Sequence, residues 1–411
     1  MRGTAGRLPL ADASVELAVT SPPYWGLRDY RDGGESLRGQ LGAEPDPHAY
    51  VDALLAVTVE CMRVLRPGGS LFVNIGDKRS DRAGGVDRGT MGTLNGRGRK
   101  ARPPRANTTS VAPRGSRLLL PERYALACLD RLGLSVRQTI VWDKPSGMPE
   151  SVRDRCRDSH EVIYHLVRPD ERYYAAVDRI RTPHLMRPQR RPNGRPVDDT
   201  PRQGGQPKQG WPTAVRYDRG VDGHPLGALP GSVWRIPTVP LDVPEWLGED
   251  HHAAFPPELA RRIVLGWSPE RVCLDCGQGL APVVERSHVE DRPGRKQGRE
   301  GDTLRHAPDG RDGDRRATVA VIVGESCACP HGPVRTRPAV VLDPFGGSGT
   351  TALVADVHGR TGLSVDLSHG YSRIACWRTT DPRERARAAA VPAPPVRTPD
   401  PSTGWAQEEL L

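Results

Sequence analysis

Ala339-Val340-Val341-Leu342-Asp343-Pro344-Phe345-Gly346-Gly347-Ser348-Gly349-Thr350 reads as a short buried strand that runs into a glycine turn, with a helix opening at Thr350 and continuing to Val357. Glycines in such a turn let the backbone approach a ligand closely, and the free N–H groups of the helix start face it. A phosphate loop would carry Lys-Ser or Lys-Thr after its last glycine, whereas Thr350-Thr351 stands there, which argues against ATP or GTP. Gly362-Leu363-Ser364-Val365-Asp366 then ends a second strand on an acid about 17 residues after Gly349. A carboxylate at that distance can accept hydrogen bonds from a ribose diol, so the pair of signals points to a nucleoside-containing cofactor.

The matching feature lies near the start. Leu17-Ala18-Val19-Thr20 is an apolar run cut by Pro22 and Pro23, so it reads as a strand delivering Ser21-Pro22-Pro23-Tyr24-Trp25 at its carboxyl end. Ser21 and Asp343 are 322 positions apart. Two prolines remove two N–H donors and leave the Ser21 hydroxyl and the Pro22 carbonyl as acceptors, a loop suited to a substrate that presents an amino group. Tyr24 is placed to stack on a base swung out of a duplex. A plain proline turn with core aromatics would read the same way.

Between these motifs the periodicity changes from helix to strand and back. Tyr50 to Leu65 has helical spacing, Ser70 to Ile75 strand character, Pro121 to Leu132 helical character, and Ser135–Trp142 and Glu161–Val167 read as further strands. A helix opens near Phe255-Pro256-Pro257. This alternation predicts an α/β protein with a mostly parallel sheet.

Ser-Pro-Pro-Tyr together with Asp-Pro-Phe-Gly-Gly-Ser-Gly-Thr resembles the S-adenosylmethionine-dependent DNA methyltransferases that modify N4 of cytosine or N6 of adenine. The order, catalytic loop first and cofactor loop last, resembles their permuted β group. Leu10 to Leu17, Trp25 to Tyr30, Ile140-Val141-Trp142-Asp143-Lys144-Pro145, Ser159-His160-Glu161 and Phe255 to Leu259 carry further resemblance. It implies a class I, Rossmann-like methyltransferase fold, circularly permuted. Ser21, Pro22, Pro23 and Tyr24 would form the catalytic loop, while Asp343, Phe345, Gly346, Gly347, Gly349, Thr350 and Asp366 would bind S-adenosylmethionine. Members with Ser at the first loop position usually act on cytosine N4 and those with Asp on adenine N6, so Ser21 favours cytosine, with adenine as the alternative. Carbon-5 methylation would need a Pro-Cys nucleophile, and no such dipeptide occurs. The chain departs from the family in having no acid before Asp12, where a Gly-Asp pair often stands. His160-Glu161 reads as a strand start that shapes the target pocket or sheet edge, outside the catalytic set.

Cys273-x-x-Cys276 and Cys327-x-Cys329 suit tetrahedral zinc in a zinc-ribbon-like insertion, with His331 as a substitute ligand; two unrelated reduced pairs would look the same. Cys61, Cys128, Cys156 and Cys376 read as core thiols. A zinc-containing DNA-binding protein without catalysis is the rival from another class.

Among 411 residues, the net charge of +9 favours a polyanionic partner, double-stranded DNA first. The absence of a long apolar run predicts a cytoplasmic, nucleoid-associated protein, and a cognate restriction endonuclease is an expected companion. The expected organisation is a catalytic half over 1–180 with an insertion at about 80–115, an Arg/Pro-rich target-recognition segment over 181–230, and a return to the core over 231–271. A zinc-binding insertion over 272–332, a cofactor half over 333–380 and a disordered tail over 381–411 complete it.

Overall fold

The computed structural model describes residues 1–27, 30–32, 35–37, 39–80, 111–147, 150–182, 226–248, 254–289, 317–330, 332 and 335–393. In chain order they form β1 (Val15–Thr20), β2 (Arg31–Asp32), β3 (Glu35–Ser36), α1 (Pro47–Val64), β4 (Leu65–Ile75), α2 (Leu120–Leu132), β5 (Ser135–Asp143), β6 (His160–Val167) and β7 (Val233–Arg235). There follow α3 (Pro257–Trp267), β8 (Arg271–Cys273), β9 (Ala281–Val289), β10 (Ala317–Ser326), β11 (Thr336–Pro338), β12 (Val340–Asp343), α4 (Thr350–Val357), β13 (Thr361–Ser364), α5 (His369–Thr380) and α6 (Pro382–Ala389).

The central sheet has the order β13-β12-β1-β4-β6-β5-β7. β1 is parallel to both β12 and β4, with Leu17 opposite Val341 on one side and Ser70 on the other. The sheet is mostly parallel, as expected, and only β6 runs against its two neighbours. Strands from the two ends of the sequence therefore lie side by side, which is the permuted arrangement. All six residues of β1 are buried, because helices cover both faces. Tyr50, Leu54 and Leu55 of α1 and Tyr124 of α2 pack on one face, and Leu259, Ile263 and Val264 of α3 with Leu353 and Val354 of α4 on the other.

β4 starts earlier than the sequence suggests, at Leu65 instead of Ser70, and runs through Pro67-Gly68-Gly69. A register shift between Val15 and Leu17 absorbs the irregularity. Gly68 has φ +75°, and a Cβ there would lie 2.9 Å from the Arg172 carbonyl, so only glycine fits.

The expected disordered tail over 381–411 is corrected for its first part. Asp381 caps α6 by accepting from the amides of Arg383 and Glu384, both at 2.9 Å, and Pro382 occupies the first helical turn. Ala388 is buried against the α3/α4 layer. Residues 394–411 lie outside the described residues.

The chain divides into two compact units at boundaries other than those read from the sequence. One comprises 1–177, 231–280 and 327–411, and the other 178–230 and 281–326. In the second, β9 and β10 form an antiparallel hairpin, Arg179 pairs with Glu325, and Thr182 and Ala228 exchange backbone hydrogen bonds. Most of the expected recognition segment (183–225) and of the expected insertion near 80–115 (81–110) lies outside the described residues. Among the described residues no helix is long and apolar enough to cross a membrane.

Candidate functional site

The glycine turn after β12 is held from several sides. Gly346 N donates to Val365 O at 2.9 Å, and a Cβ on Gly346 would meet Ser364 Oγ at 1.8 Å, so the turn can lie against β13 only without a side chain. Gly349 caps α4 in the left-handed conformation, φ +75°. Asp343, at the strand end, is buried and accepts from Phe345 N at 3.1 Å and Thr351 Oγ1 at 2.9 Å. Burial raises its pKa to about 6. Asp366 accepts from Gly347 N and Ser368 N, each at 2.8 Å, and burial raises its pKa as well. The chain start runs beside it: Gly3 N donates to Asp366 O at 3.0 Å and Asp366 N to Met1 O at 3.1 Å.

The Ser21 loop follows β1 at the same edge of the sheet. Tyr50 Oη donates to Pro23 O at 2.9 Å, and Trp25 Nε1 to Glu44 O at 2.9 Å, so α1 and the segment before it fix the loop. Tyr24 turns its hydroxyl inward and donates to Glu161 Oε2 at 2.7 Å. Its ring lies against Gly76, where a Cβ would come within 2.6 Å. Asn74 Nδ2 reaches Ser21 Oγ at 3.3 Å and both Tyr24 Oη and Glu161 Oε2 at 2.9 Å. Lys144 Nζ holds the other Glu161 oxygen at 2.5 Å. Burial, then the Glu161 charge, lifts the Tyr24 phenol well above its ordinary value, so it remains a donor.

The two loops line one cavity of about 310 Å³. Ser21 and Pro23 meet Phe345, Gly346, Gly347, Thr350 and Asp366 in its wall. Pro22, Tyr24, Asp343 and Gly349, expected at the site, support that wall without lining it. Sequence reasoning missed other wall residues: Glu44, Phe255, and Tyr30 with Tyr371, whose rings meet edge to face at 6.3 Å. It also missed Asn74, whose only signal was a polar residue in the apolar run Leu71-Phe72-Val73-Asn74-Ile75; Glu161, expected to shape the target pocket or sheet edge outside the catalytic set, bonds Tyr24 and Asn74.

Asp343 and Asp366 sit behind a turn that only glycine can form, and the adjoining cavity combines apolar walls with the carboxylates of Asp366 and Glu44. That set of acceptors and that shape fit an adenosine-bearing cation such as S-adenosylmethionine.

The sulfur atoms of Cys273, Cys276, Cys327 and Cys329 all lie within 4.8 Å of one another, a group that can hold a metal. His331 lies outside the described residues. Cys61 and Cys128 are buried, as expected of core thiols, and burial pushes them up to about 12 and about 11. Cys156 and Cys376 are exposed, which corrects the reading of them as core residues.

A family profile described as DNA methylase matches residues 15–279. The chain belongs to the DNA methylase family. Its members are S-adenosylmethionine-dependent DNA amino-methyltransferases of the N4/N6 type, and the chain shares 39% identity over 176 residues with the type II methyltransferase M.SfiI of Streptomyces fimbriatus. It shares 37% over 168 residues with M.Cfr9I of Citrobacter freundii. These matches cover 43% and 41% of the chain but 36% and 52% of the two relatives, so it spans about a third to a half of their length. Among solved structures, a PvuII DNA methyltransferase (cytosine-N4-specific) aligns with 94% of this chain and 83% of its own at TM-score 0.45 and 14% identity.

Proposed function

We propose that the chain transfers a methyl group from S-adenosylmethionine to N4 of a cytosine flipped out of double-stranded DNA. The observation that carries this reading is the single cavity walled by both Ser21 and the Phe345-Gly346-Gly347 turn. Phe345, Gly346, Gly347, Thr350 and Asp366 would hold the cofactor, with Asp343 and Gly349 fixing the turn from behind. S-adenosylmethionine supplies a methyl group already activated on a sulfonium, so no covalent enzyme intermediate is needed.

The barrier lies in the acceptor, whose amino lone pair is delocalised into the ring. Ser21 Oγ receives one N–H from Asn74 and retains a lone pair for an amino N–H of the base. Accepting that hydrogen bond pulls the nitrogen toward a tetrahedral shape and orients its lone pair, so positioning and polarisation supply the catalysis. Pro22 and Pro23 keep the loop extended, and Tyr24 anchors it through Glu161 and Asn74. Ser at position 21, where adenine enzymes of the family usually carry Asp, supports cytosine. The type II naming of the relatives supports a place beside a restriction endonuclease of matching specificity.

The test is to incubate the protein with DNA and S-adenosylmethionine, digest the DNA to nucleosides and weigh them. N4-methylcytosine is the expected product. N6-methyladenine would transfer the assignment to adenine, and DNA binding with no methyl transfer would support the non-catalytic rival.

A further inference from the structure

The two cysteine pairs stand apart from the methyl-transfer cavity, and nothing in the proposed reaction uses them. We propose that Cys273, Cys276, Cys327 and Cys329 bind one zinc ion in a closed structural centre, which locks together the points where the chain leaves the sheet-bearing unit after Leu280 and re-enters it at Cys327.

Geometry supports a four-thiolate site. With Zn–S near 2.3 Å, a tetrahedron has sulfur–sulfur edges of ~3.8 Å. Cys273 Sγ and Cys329 Sγ are 3.8 Å apart, and no pair in the group exceeds 4.8 Å. The turn carrying the first pair is already shaped for this: Cys273 N donates to Gln278 O at 2.9 Å, Gly277 N to Cys273 O at 3.0 Å, and Gly277 takes φ +71°. Such a turn aims two side chains three positions apart at one point.

Position argues for structure over catalysis. β8 pairs with β11, and β11 leads through Ala339 into the amino end of β12. The glycine turn and the cavity lie at the carboxyl end of β12, so the cysteines sit at the opposite edge of the sheet. Arg66, at the start of β4, reaches Gly277 O at 3.4 Å, which places the cysteine turn at that same edge. Four protein thiolates also fill a tetrahedral ion completely and leave no position for water or substrate.

Among the described residues the local structure is small, with Val272, Cys273 and Leu280 buried and one Arg335–Asp275 ion pair beside them. β8 and β11 are three residues each, and Leu274, between the first two cysteines, is half exposed. A turn with so little apolar burial is the setting in which metal binding does the work of a core. Binding releases the thiol protons and leaves no redox step to balance.

The full chain, purified under reducing conditions without added metal, is analysed for metals by inductively coupled plasma mass spectrometry. About one zinc per chain is expected, released to a chromogenic chelator as a mercurial titrates four thiols, and cobalt substitution should give the visible spectrum of tetrahedral thiolate. Cys276→Ser should lose most of the zinc and become susceptible to protease between residues 274 and 335. A wild-type chain without zinc, with Cys273, Cys276, Cys327 and Cys329 all free or joined in disulfides by intact mass, overturns the proposal. So does zinc content unchanged in Cys276→Ser. If that variant does not fold, the wild-type stoichiometry and cobalt spectrum decide. None of these readouts depends on methyl transfer.

Discussion

Tyr24 and Glu161, 137 positions apart, share a 2.7 Å hydrogen bond that ties the loop after β1 to the first turn of β6. Lys144 neutralises the carboxylate from the far side and Asn74 bridges to Ser21, so four side chains from four segments set the position of the Ser21 hydroxyl. Losing a hydrogen bond to a charged group is worth ~1.5–3 kcal/mol, so Glu161→Gln and Tyr24→Phe should each lower turnover about tenfold or more. Cofactor affinity should hold within about twofold in both, since neither residue lines the cavity. Single-turnover methyl transfer with calorimetric cofactor binding measures both; wild-type rates in both variants would remove the relay from the mechanism.

Ser21→Ala should bind S-adenosylmethionine normally and lose about 10²-fold or more in turnover, the scale seen when one preorganised polar group aimed at a transition state is removed. Equilibrium dialysis and product formation with labelled methyl donor separate the two effects. Full activity in this variant would take Ser21 out of the chemistry.

Asp343 gives a pH signature. Its carboxyl is raised to about 6 by burial, so between the unfolded value near 3.8 and 6 the folded chain holds a proton that the unfolded chain has released. Stability from this group therefore falls as pH rises through that window, by an amount of order 3 kcal/mol. Asp343→Asn should flatten the dependence of denaturation midpoint on pH between about 4 and 6. In the wild type, ionisation restores a full acceptor for Phe345 N and Thr351 Oγ1, so cofactor affinity should rise across the same interval. An unchanged pH profile in Asp343→Asn would assign the dependence elsewhere.

Arg378 is buried and donates to Ser348 O and Ser348 Oγ at 3.1 Å and to Thr350 Oγ1 at 2.8 Å, while Glu384 of α6 holds its Nε at 2.8 Å. The last described helix thus braces the glycine turn before α4. Breaking one side of a buried pair costs ~3–5 kcal/mol, so Glu384→Gln should lower the melting temperature and weaken cofactor binding together. The double variant Arg378→Met with Glu384→Leu should recover much of the melting temperature but not the affinity, because the contacts to Ser348 and Thr350 are gone. Scanning calorimetry with cofactor titration tests this, and restored affinity in the double variant would contradict it.

The parts of this architecture legible in the sequence are those signalled locally. β1, β12 and the glycine turn announce themselves because an apolar run ends abruptly in proline or glycine, and α1 because its apolar residues recur at helical spacing. α6 was read as disordered because its Arg-Ala composition carries no apolar stripe; what orders it is the ion pair with Arg378 and an Asp-Pro cap. β9 and β10 were missed although Val319 to Val323 is a plain apolar run, since the charged stretch between them dominated the reading. Asn74 and Glu161 become neighbours only through the order β4-β6 in the sheet, a tertiary choice that no window of sequence contains. The same holds for Tyr30 and Tyr371, which meet across the cavity wall.

The placement of β1 between β12 and β4 has a consequence for synthesis. Its six residues are buried on both faces and both edges, yet the strand for one edge is made about 320 residues later. At 5–20 residues per second, a ribosome leaves β1 without that neighbour for on the order of tens of seconds. Throughout that interval a growing chain carries β1 with one edge open and with Glu16 lacking the Arg337 and Val340 partners that arrive with the late strands. A nascent chain stopped short of residue 340 therefore lacks both the second neighbour of β1 and the Phe345-Gly346-Gly347 turn that walls the cavity.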